Sequence, residues 1–137
     1  MRDEYDPLNR DHVRIKEGIE VGNSLPTLVR PSHILECLGL AGFEVLDHFD
    51  ANENMLSPDE TPWYETLSGK WSVSGFRMTR LGRAFTHFMV MTLEALWIAP
   101  PGSSDVSALL NATAIDLVEA GKCRIFTPSY FFLARKK

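Results

Sequence analysis

The chain has 137 residues, of which 45% are hydrophobic and 23% charged, so it can form one compact core and is unlike disordered proteins. Fourteen Lys and Arg side chains stand against 18 Asp and Glu, which gives a formal net charge of −4. This acidic balance argues against a nucleic-acid-binding protein, whose surface should be basic. Cys37 and Cys123 lack the spacing of a metal site and are expected to be reduced thiols.

The longest weakly charged apolar stretch is Ala84 to Pro101, and His87 and Glu94 interrupt it. It falls short of the ~20 apolar residues that cross a bilayer. The charged N-terminal residues are unlike a secretory signal peptide. We therefore expect a cytoplasmic protein, and peripheral contact with a membrane stays open.

The first part of the chain predicts two helices and a strand. Asn9 or Asp11 can cap a first helix, which the break at Gly22 ends. A second helix begins near Pro31. Alternating apolar residues predict a strand over Phe43–Phe49.

The middle of the chain, from Ala51 to Gly75, is a long polar loop that carries Trp63, Tyr64 and Trp71. A solvated loop does not need such aromatic residues, so we expect this loop to fold over something apolar. That apolar surface is either the core or a ligand.

The last part predicts two helices, Met78–Ile98 and Ser104–Ala120, and a strand over Ile125–Leu133. Apolar residues at helical spacing on the longer helix are expected to face the interior: Leu81, Phe85, Phe88, Met89, Leu93 and Leu96. A polar stripe runs along the same helix: Arg80, Arg83, His87 and Glu94. The expected class is α+β, mostly helical, with two strands far apart in sequence.

The common catalytic motifs are missing from the sequence. It contains no GxGxxG, GKS or GKT, GxSxG or HExxH. The four histidines lie on different elements without i,i+4 pairing, so we expect no metal site. Composition and periodicity alone therefore predict an α+β domain with an apolar interior. They do not indicate a function.

Six strings carry a resemblance, in the same order along nearly the whole chain: EYDPLNRDHVRIKEGIEVGNSLP, AGFEVLDHFDA, TPWYETL, FRMTRLGRAFTHFMV, IAPPGSSDVSALLNATAIDLVEAGK and IFTPSYFFLARKK. Together they resemble the C-terminal part of the sterol 24-C-methyltransferases, which use S-adenosylmethionine to methylate a sterol side-chain alkene. The resemblance implies one domain over residues 1–137. It also implies that the two strands pair antiparallel, with a packed helix pair inserted between them.

The glycine-rich loop that binds S-adenosylmethionine lies in an N-terminal portion of that family, and this sequence lacks such a loop. We therefore expect no cofactor and no methyl transfer by this chain alone. Inside the matched strings, some residues depart from the family pattern: Gly18 for Glu, Ser24 for Gly, Thr66 for Pro, Ala120 for Gly and Ser129 for Met. Such changes suit either a different ligand or neutral drift.

Two functions follow from this resemblance. In the first, the chain is an enzyme that binds a terpenoid or sterol-like molecule and promotes a cofactor-free cyclisation, such as a Diels–Alder-type cycloaddition, or an isomerisation. In the second, it is a non-catalytic lipid-binding or accessory subunit, or an excised part, of a sterol 24-C-methyltransferase. Loss of the rest of the family's sheet would expose an edge and an apolar face, so we expect a homo-oligomer.

The predicted site has a polar part and an apolar part. Glu20 is the expected proton acceptor, with a pKa that burial would raise, and Arg80 and His87 are expected to donate hydrogen bonds to a substrate oxygen. Expected substrate-binding residues are Asn23, Trp63, Tyr64, Phe76, Phe85, Phe88, Tyr130 and Phe131. Structural roles compete with each of these: a helix cap for Glu20 and Asn23, core packing for the aromatic residues and a surface position for His87 and Arg80.

Overall fold

A computed structural model describes residues 1–53, 61–68 and 79–137, with the side chain of Arg80 outside the description. The elements in chain order are α1 (Arg10–Gly22), α2 (Pro31–Leu40), β1 (Phe43–Asp50), α3 (Glu65–Ser68), α4 (Arg80–Ala95), α5 (Ser103–Lys122) and β2 (Tyr130–Lys136). Helices packed against one antiparallel strand pair confirm the predicted α+β class.

The two strands pair antiparallel, as the resemblance implied. Phe43 lies opposite Lys136 and Asp50 opposite Tyr130, with a bulge between Val45 and Asp47. The prediction that the second strand begins at Ile125 is wrong. The segment before Tyr130 bonds elsewhere, since the Ile125 carbonyl accepts from the Arg2 N–H at 2.8 Å.

Helices α1 and α5 pack closely around the centre of the core. Ile15 and Ile19 of α1 are buried together with Ala120 of α5 and with Ile125. Gly22 makes the close approach possible, because a Cβ at this position would overlap the side chain of Thr113 on α5. Glycine at position 22 is therefore as important for this helix interface as the buried apolar side chains.

The departure at Gly18 has a structural counterpart on α5. A Cβ at Gly18 would overlap the carboxylate of Asp116, which accepts a hydrogen bond from Arg14 at 2.9 Å. The space that a side chain at position 18 would use is thus occupied by Asp116. This gives the substitution a packing consequence without any reference to a ligand.

Helix α4 ends earlier than predicted. Its N-cap is Thr79, whose hydroxyl accepts from the Gly82 N–H at 3.1 Å, and its last residue is Ala95. Trp97 has a φ of 60°, a left-handed conformation that ends a helix. The predicted extension to Ile98 is therefore wrong at this end, and the predicted start at Met78 lies outside the described residues.

Helix α4 is amphipathic, but its apolar face points outward. Leu81, Phe85, Phe88, Met89 and Leu96 are exposed, so the expectation that they face the interior is not met. The polar stripe instead contacts neighbouring parts of the chain through three side chains: Arg83, His87 and Glu94. This arrangement is the reverse of that in an ordinary surface helix of a soluble domain.

Helix α5 is capped from outside its own sequence. Its N-cap residue is Gly102 in a left-handed conformation, and no side-chain cap forms there. The carboxylate of Glu94 on α4 takes that role, with one oxygen 2.7 Å from the Gly102 nitrogen and the other 2.8 Å from the Ser104 nitrogen. One ionised side chain thereby fixes the α4–α5 hairpin.

Candidate functional site

A cavity among the described residues lies between α4, α5 and the turn that joins them. Its volume is about 1130 Å³, large enough for a small-molecule ligand. Apolar side chains form much of its wall: Leu67, Val90, Leu93, Val106, Leu110 and Ala114. The α4–α5 cavity is therefore suited to a ligand that is mostly hydrocarbon.

Few polar groups border the α4–α5 cavity. Arg83 donates from its guanidinium to the Leu67 carbonyl at 2.5 Å and to the Asn111 carbonyl at 3.5 Å, which joins α3, α4 and α5. Ser107 lines the cavity and lies 3.3 Å from Nδ1 of His87. A polar group of a ligand would find its partners at this part of the wall.

Glu94 stabilises the turn at the other end of the cavity. Hydrogen bonds from the Ser104 hydroxyl and from the Gly102 and Ser104 backbone N–H groups hold the pKa of Glu94 below its usual range. Negative charge at a helix N-terminus is also favoured by the helix dipole. The ionised carboxylate of Glu94 thus lies at the N-terminus of α5.

Glu20 lies at the end of α1, where it organises the backbone that follows. Its carboxylate pairs with Lys16 and accepts from the Leu28 N–H at 2.6 Å. Burial raises the pKa of Glu20, but these two hydrogen bonds outweigh burial and the pKa is lowered. This direction is the opposite of the one expected for a proton acceptor tuned by burial.

Asn23 is exposed and forms the C-cap of α1. Its side-chain amide donates to the Ile19 carbonyl at 3.0 Å. The helix-end alternative describes what Asn23 does in this structure. Its assignment to substrate binding stays a prediction.

The predicted aromatic residues fall into separate places. Trp63 packs edge-on against Tyr64 and against Phe126, with ring centroids 5.7 and 5.9 Å apart. Tyr64 lies directly over Gly121, where a Cβ would overlap its ring. These contacts fit the core alternative for the Trp63–Tyr64 pair.

Tyr130 and Phe131 are neighbours on β2 and therefore point to opposite faces of the sheet. The Tyr130 hydroxyl lies 3.1 Å from Nδ1 of His48, whereas Phe131 stacks on Phe49 at 4.9 Å. Burial raises the pKa of Tyr130, and nearby carboxylates raise it further. The rings of Tyr130 and Phe131 therefore do not line the same pocket.

Five predicted residues remain: Phe85, Phe88 and His87 on α4, together with Phe76 and Arg80. Phe85 and Phe88 are exposed on the outer face of the helix, and His87 is half-buried beside Ser107. Phe76 and the side chain of Arg80 lie outside the described residues. Among the predicted site residues, His87 contacts the wall of the α4–α5 cavity through Ser107.

The cavity wall on α5 consists of residue types that carry no functional signal in a sequence. Val106, Leu110 and Ala114 are ordinary residues four positions apart on α5. A signal was available, since the short Ala-Pro-Pro-Gly turn predicts that two helices lie side by side. The spacing then places these side chains toward the partner helix.

In residues 1–53, 61–68 and 79–137, no helix is long and apolar enough to cross a bilayer. The same part of the chain contains no group of three or more His, Cys, Asp or Glu side chains that could hold a metal ion.

The chain is similar in sequence to a known protein family. A model of the sterol methyltransferase C-terminal domain matches residues 73–137. Over 137 aligned residues the chain is 47% identical to cycloartenol-C-24-methyltransferase 1 of Oryza sativa subsp. japonica, covering 99% of this chain and 39% of the rice protein. This chain is related to the C-terminal part of the sterol 24-C-methyltransferases. The family resemblance inferred from the sequence is thereby confirmed.

Other relatives of the sterol 24-C-methyltransferase family give the same pattern. The Arabidopsis thaliana cycloartenol-C-24-methyltransferase is 45% identical, with 99% of this chain and 40% of that protein covered. The sterol 24-C-methyltransferase of Saccharomyces cerevisiae is 40% identical over 144 residues, with 99% and 37% covered. The chain spans about two fifths of the length of these relatives, and no solved structure matches it.

These matches bear on the two functions expected from the sequence. The three relatives described above are named as methyltransferases, and none of them is named as a cyclase or isomerase. They support the lipid-binding or accessory alternative better than cofactor-free cyclisation.

Proposed function

We propose that this chain supplies the sterol-binding surface of a sterol 24-C-methyltransferase and that the α4–α5 cavity holds the apolar body of the sterol. The carrying observation is an apolar cavity of about 1130 Å³ in a chain 47% identical to the C-terminal part of a cycloartenol-C-24-methyltransferase. Substrate-binding cavities are mostly apolar with a few orienting polar groups, and this cavity has that character.

The polar groups of the cavity give the bound ligand a direction. Arg83 and Ser107 provide donors at one part of a mostly apolar wall. A hydroxyl oxygen on the ligand would accept a hydrogen bond there, while its hydrocarbon rings contact Leu93 and Leu110. Burial of that hydrocarbon supplies the binding free energy, and the polar contact selects the orientation.

The methyl donor of the named relatives does not fit the residues at hand. Donor sites of this kind need a strand that leads through a glycine-rich turn into a helix N-terminus. The segment that follows β1, residues 51–64, contains no glycine. The proposed role of this chain is therefore binding and orientation of the sterol, and titration calorimetry with S-adenosylmethionine alone should show no measurable binding.

The outer face of α4 bears on assembly. Phe85, Phe88 and Met89 expose apolar area that a soluble monomer rarely leaves uncovered. We expect this face to be covered in a homo-oligomer. Light scattering that returns a monomer at high micromolar concentration would count against this assembly.

Sterol binding can be tested with two adjacent leucines of α5. Leu110 lines the cavity, whereas Leu109 does not, and both side chains are exposed. Leu110→Trp should fill the cavity and weaken binding of the fluorescent sterol dehydroergosterol at least tenfold. Leu109→Trp should leave the dissociation constant within twofold of that of the unmodified chain.

Three outcomes would reject this assignment. The first is absence of dehydroergosterol binding to the unmodified chain. The second is equal affinity of the Leu109→Trp and Leu110→Trp variants. The third is loss of binding that parallels loss of folding, measured by circular dichroism on the same samples.

A further inference from the structure

The turn after α4 presents three consecutive apolar side chains to solvent. Leu96, Trp97 and Ile98 are 62, 88 and 70% exposed. We call these three residues the apolar tip. The tip is continuous with the mouth of the cavity, since the next residues, Ala99 to Ser103, line that cavity.

The conformation of the tip holds the indole away from the protein. Trp97 has a φ of 60°, a region that bulky side chains rarely adopt. The conformation is fixed by the helix end: the Trp97 N–H donates to the Glu94 carbonyl at 3.0 Å and the Ile98 N–H to the Leu93 carbonyl at 2.9 Å. The exposed indole is therefore a defined feature of the fold.

The tip has no free charge nearby in sequence. Between Ala95 and Ser104 the chain has no ionisable side chain. The preceding Glu94 already accepts hydrogen bonds from the Gly102 and Ser104 backbone N–H groups. Burial of the tip in an apolar medium would therefore not require an unpaired charge to lose its water.

The exposed area of the tip indicates which kind of partner it fits. Three side chains of these types expose on the order of 450 Å², which is about half of what each partner contributes to a stable protein–protein interface. A convex turn of this size inserts readily between lipid headgroups, and tryptophan is enriched at that depth of a bilayer. A net charge of −4 makes a neutral surface more suitable than an anionic one.

We propose that the apolar tip docks this chain on a neutral lipid bilayer, with the mouth of the cavity facing the membrane surface. Docking depends on burial of Leu96, Trp97 and Ile98 among the lipids. A membrane-dissolved ligand would then reach the cavity without crossing water. The docking itself does not rest on the proposed sterol binding.

The test uses sterol-free phosphatidylcholine vesicles and the 137-residue chain. The chain should co-sediment with the vesicles, and the triple variant Leu96→Ser, Trp97→Ser, Ile98→Ser should bind at least tenfold less. Leu8→Ser combined with Val21→Ser removes two other exposed apolar side chains and should bind as the unmodified chain does. Trp97→Phe keeps an apolar ring and should retain binding.

Addition of phosphatidylserine to the vesicles should not strengthen binding. Docking would be overturned if the unmodified chain stayed in solution, if the triple variant bound equally well, or if anionic lipid were required. It would also be overturned if the unmodified chain sedimented as a dimer and the triple variant as a monomer, because the tip would then lie between two copies of the chain. Because these vesicles contain no sterol, failure of docking and failure of sterol binding are separate results.

Discussion

The two ends of helix α5 illustrate opposite ways of packing a helix. Near its C-terminus, α5 meets α1 through buried Ile19 and Ala120 and through the close approach at Gly22. Near its N-terminus, α5 meets α4 through polar groups, with Glu94 at its first turn and His87 beside Ser107. The first contact stabilises the fold, whereas the second leaves an apolar cavity and an outward apolar face.

This difference shows where the fold holds apolar area in reserve. A helix pair built only for stability would turn its apolar sides toward each other, because burial of apolar surface is the main driving force of folding. In the α4–α5 hairpin, hydrogen bonds hold the helices and the apolar side chains remain available. The contrast predicts that the same kind of substitution has different effects at the two ends.

The largest expected contrast is between two apolar truncations. Ile19→Ala should lower the free energy of unfolding by about 3 kcal/mol, because it leaves a cavity in the core. Phe88→Ala should change it by less than about 0.5 kcal/mol at concentrations where the chain is a monomer, because this side chain is exposed there. Urea unfolding of both variants measures the difference, and equal losses would show that the two regions are not distinct.

The close approach of α1 and α5 predicts a smaller loss at Gly22. Gly22→Ala should cost about 2 kcal/mol, because the added methyl group overlaps Thr113 at a packed helix contact. Gly39→Ala on α2 is a matched control, since a Cβ there meets nothing within 4 Å. It should stabilise the chain by about 0.5 kcal/mol through helix propensity. A destabilised control would point to a general effect of alanine instead.

The exchange at position 18 predicts a coupled pair. Gly18→Glu restores the residue that is usual in the family pattern and should cost about 1.5 kcal/mol, less than the change at Gly22 because the Asp116 carboxylate can move. Asp116→Ala in the same chain should recover about half of that loss. Strictly additive effects in this double-mutant cycle would show that Asp116 does not occupy the space.

The smallest effect concerns pH. Because the folded-state pKa of Glu94 is lowered, its contribution to stability is present above its ordinary pKa near 4.5 and is lost as pH falls through the lowered value. Glu94→Gln should therefore have a lower Tm than the unmodified chain at pH 7. The two Tm values should converge as pH falls below 4. A constant difference across this range would argue that ionisation of Glu94 does not matter.

Much of the fold was predictable from local signals. Pro31 at a helix start, the alternation in Phe43–Phe49 and the periodicity of α4 each gave the correct type of element. The predicted helix ends were wrong where contacts with residues far away in the sequence determine the end of the helix. Glu94 caps α5 from another helix, and Trp97 ends α4 in a conformation that sequence patterns rarely indicate for tryptophan.

The candidate site was less predictable, because sequence patterns show which face of a helix is apolar but not where that face points. The apolar stripe of α4 was expected inside and lies outside. Glu20 was expected to be a base with a raised pKa, and its hydrogen bonds lower that pKa. The catalytic assignments of Glu20, Arg80 and His87 remain predictions.

Photocrosslinking tests the central claim most directly. A sterol that carries a diazirine would be irradiated with the chain, and the labelled residues would be located by mass spectrometry. Sterol binding in the α4–α5 cavity predicts labels on Leu93, Val106 or Leu110, which unlabelled sterol in excess removes. Competed labels confined to Trp63, Tyr64 or Tyr130, or no competed label at all, would contradict it.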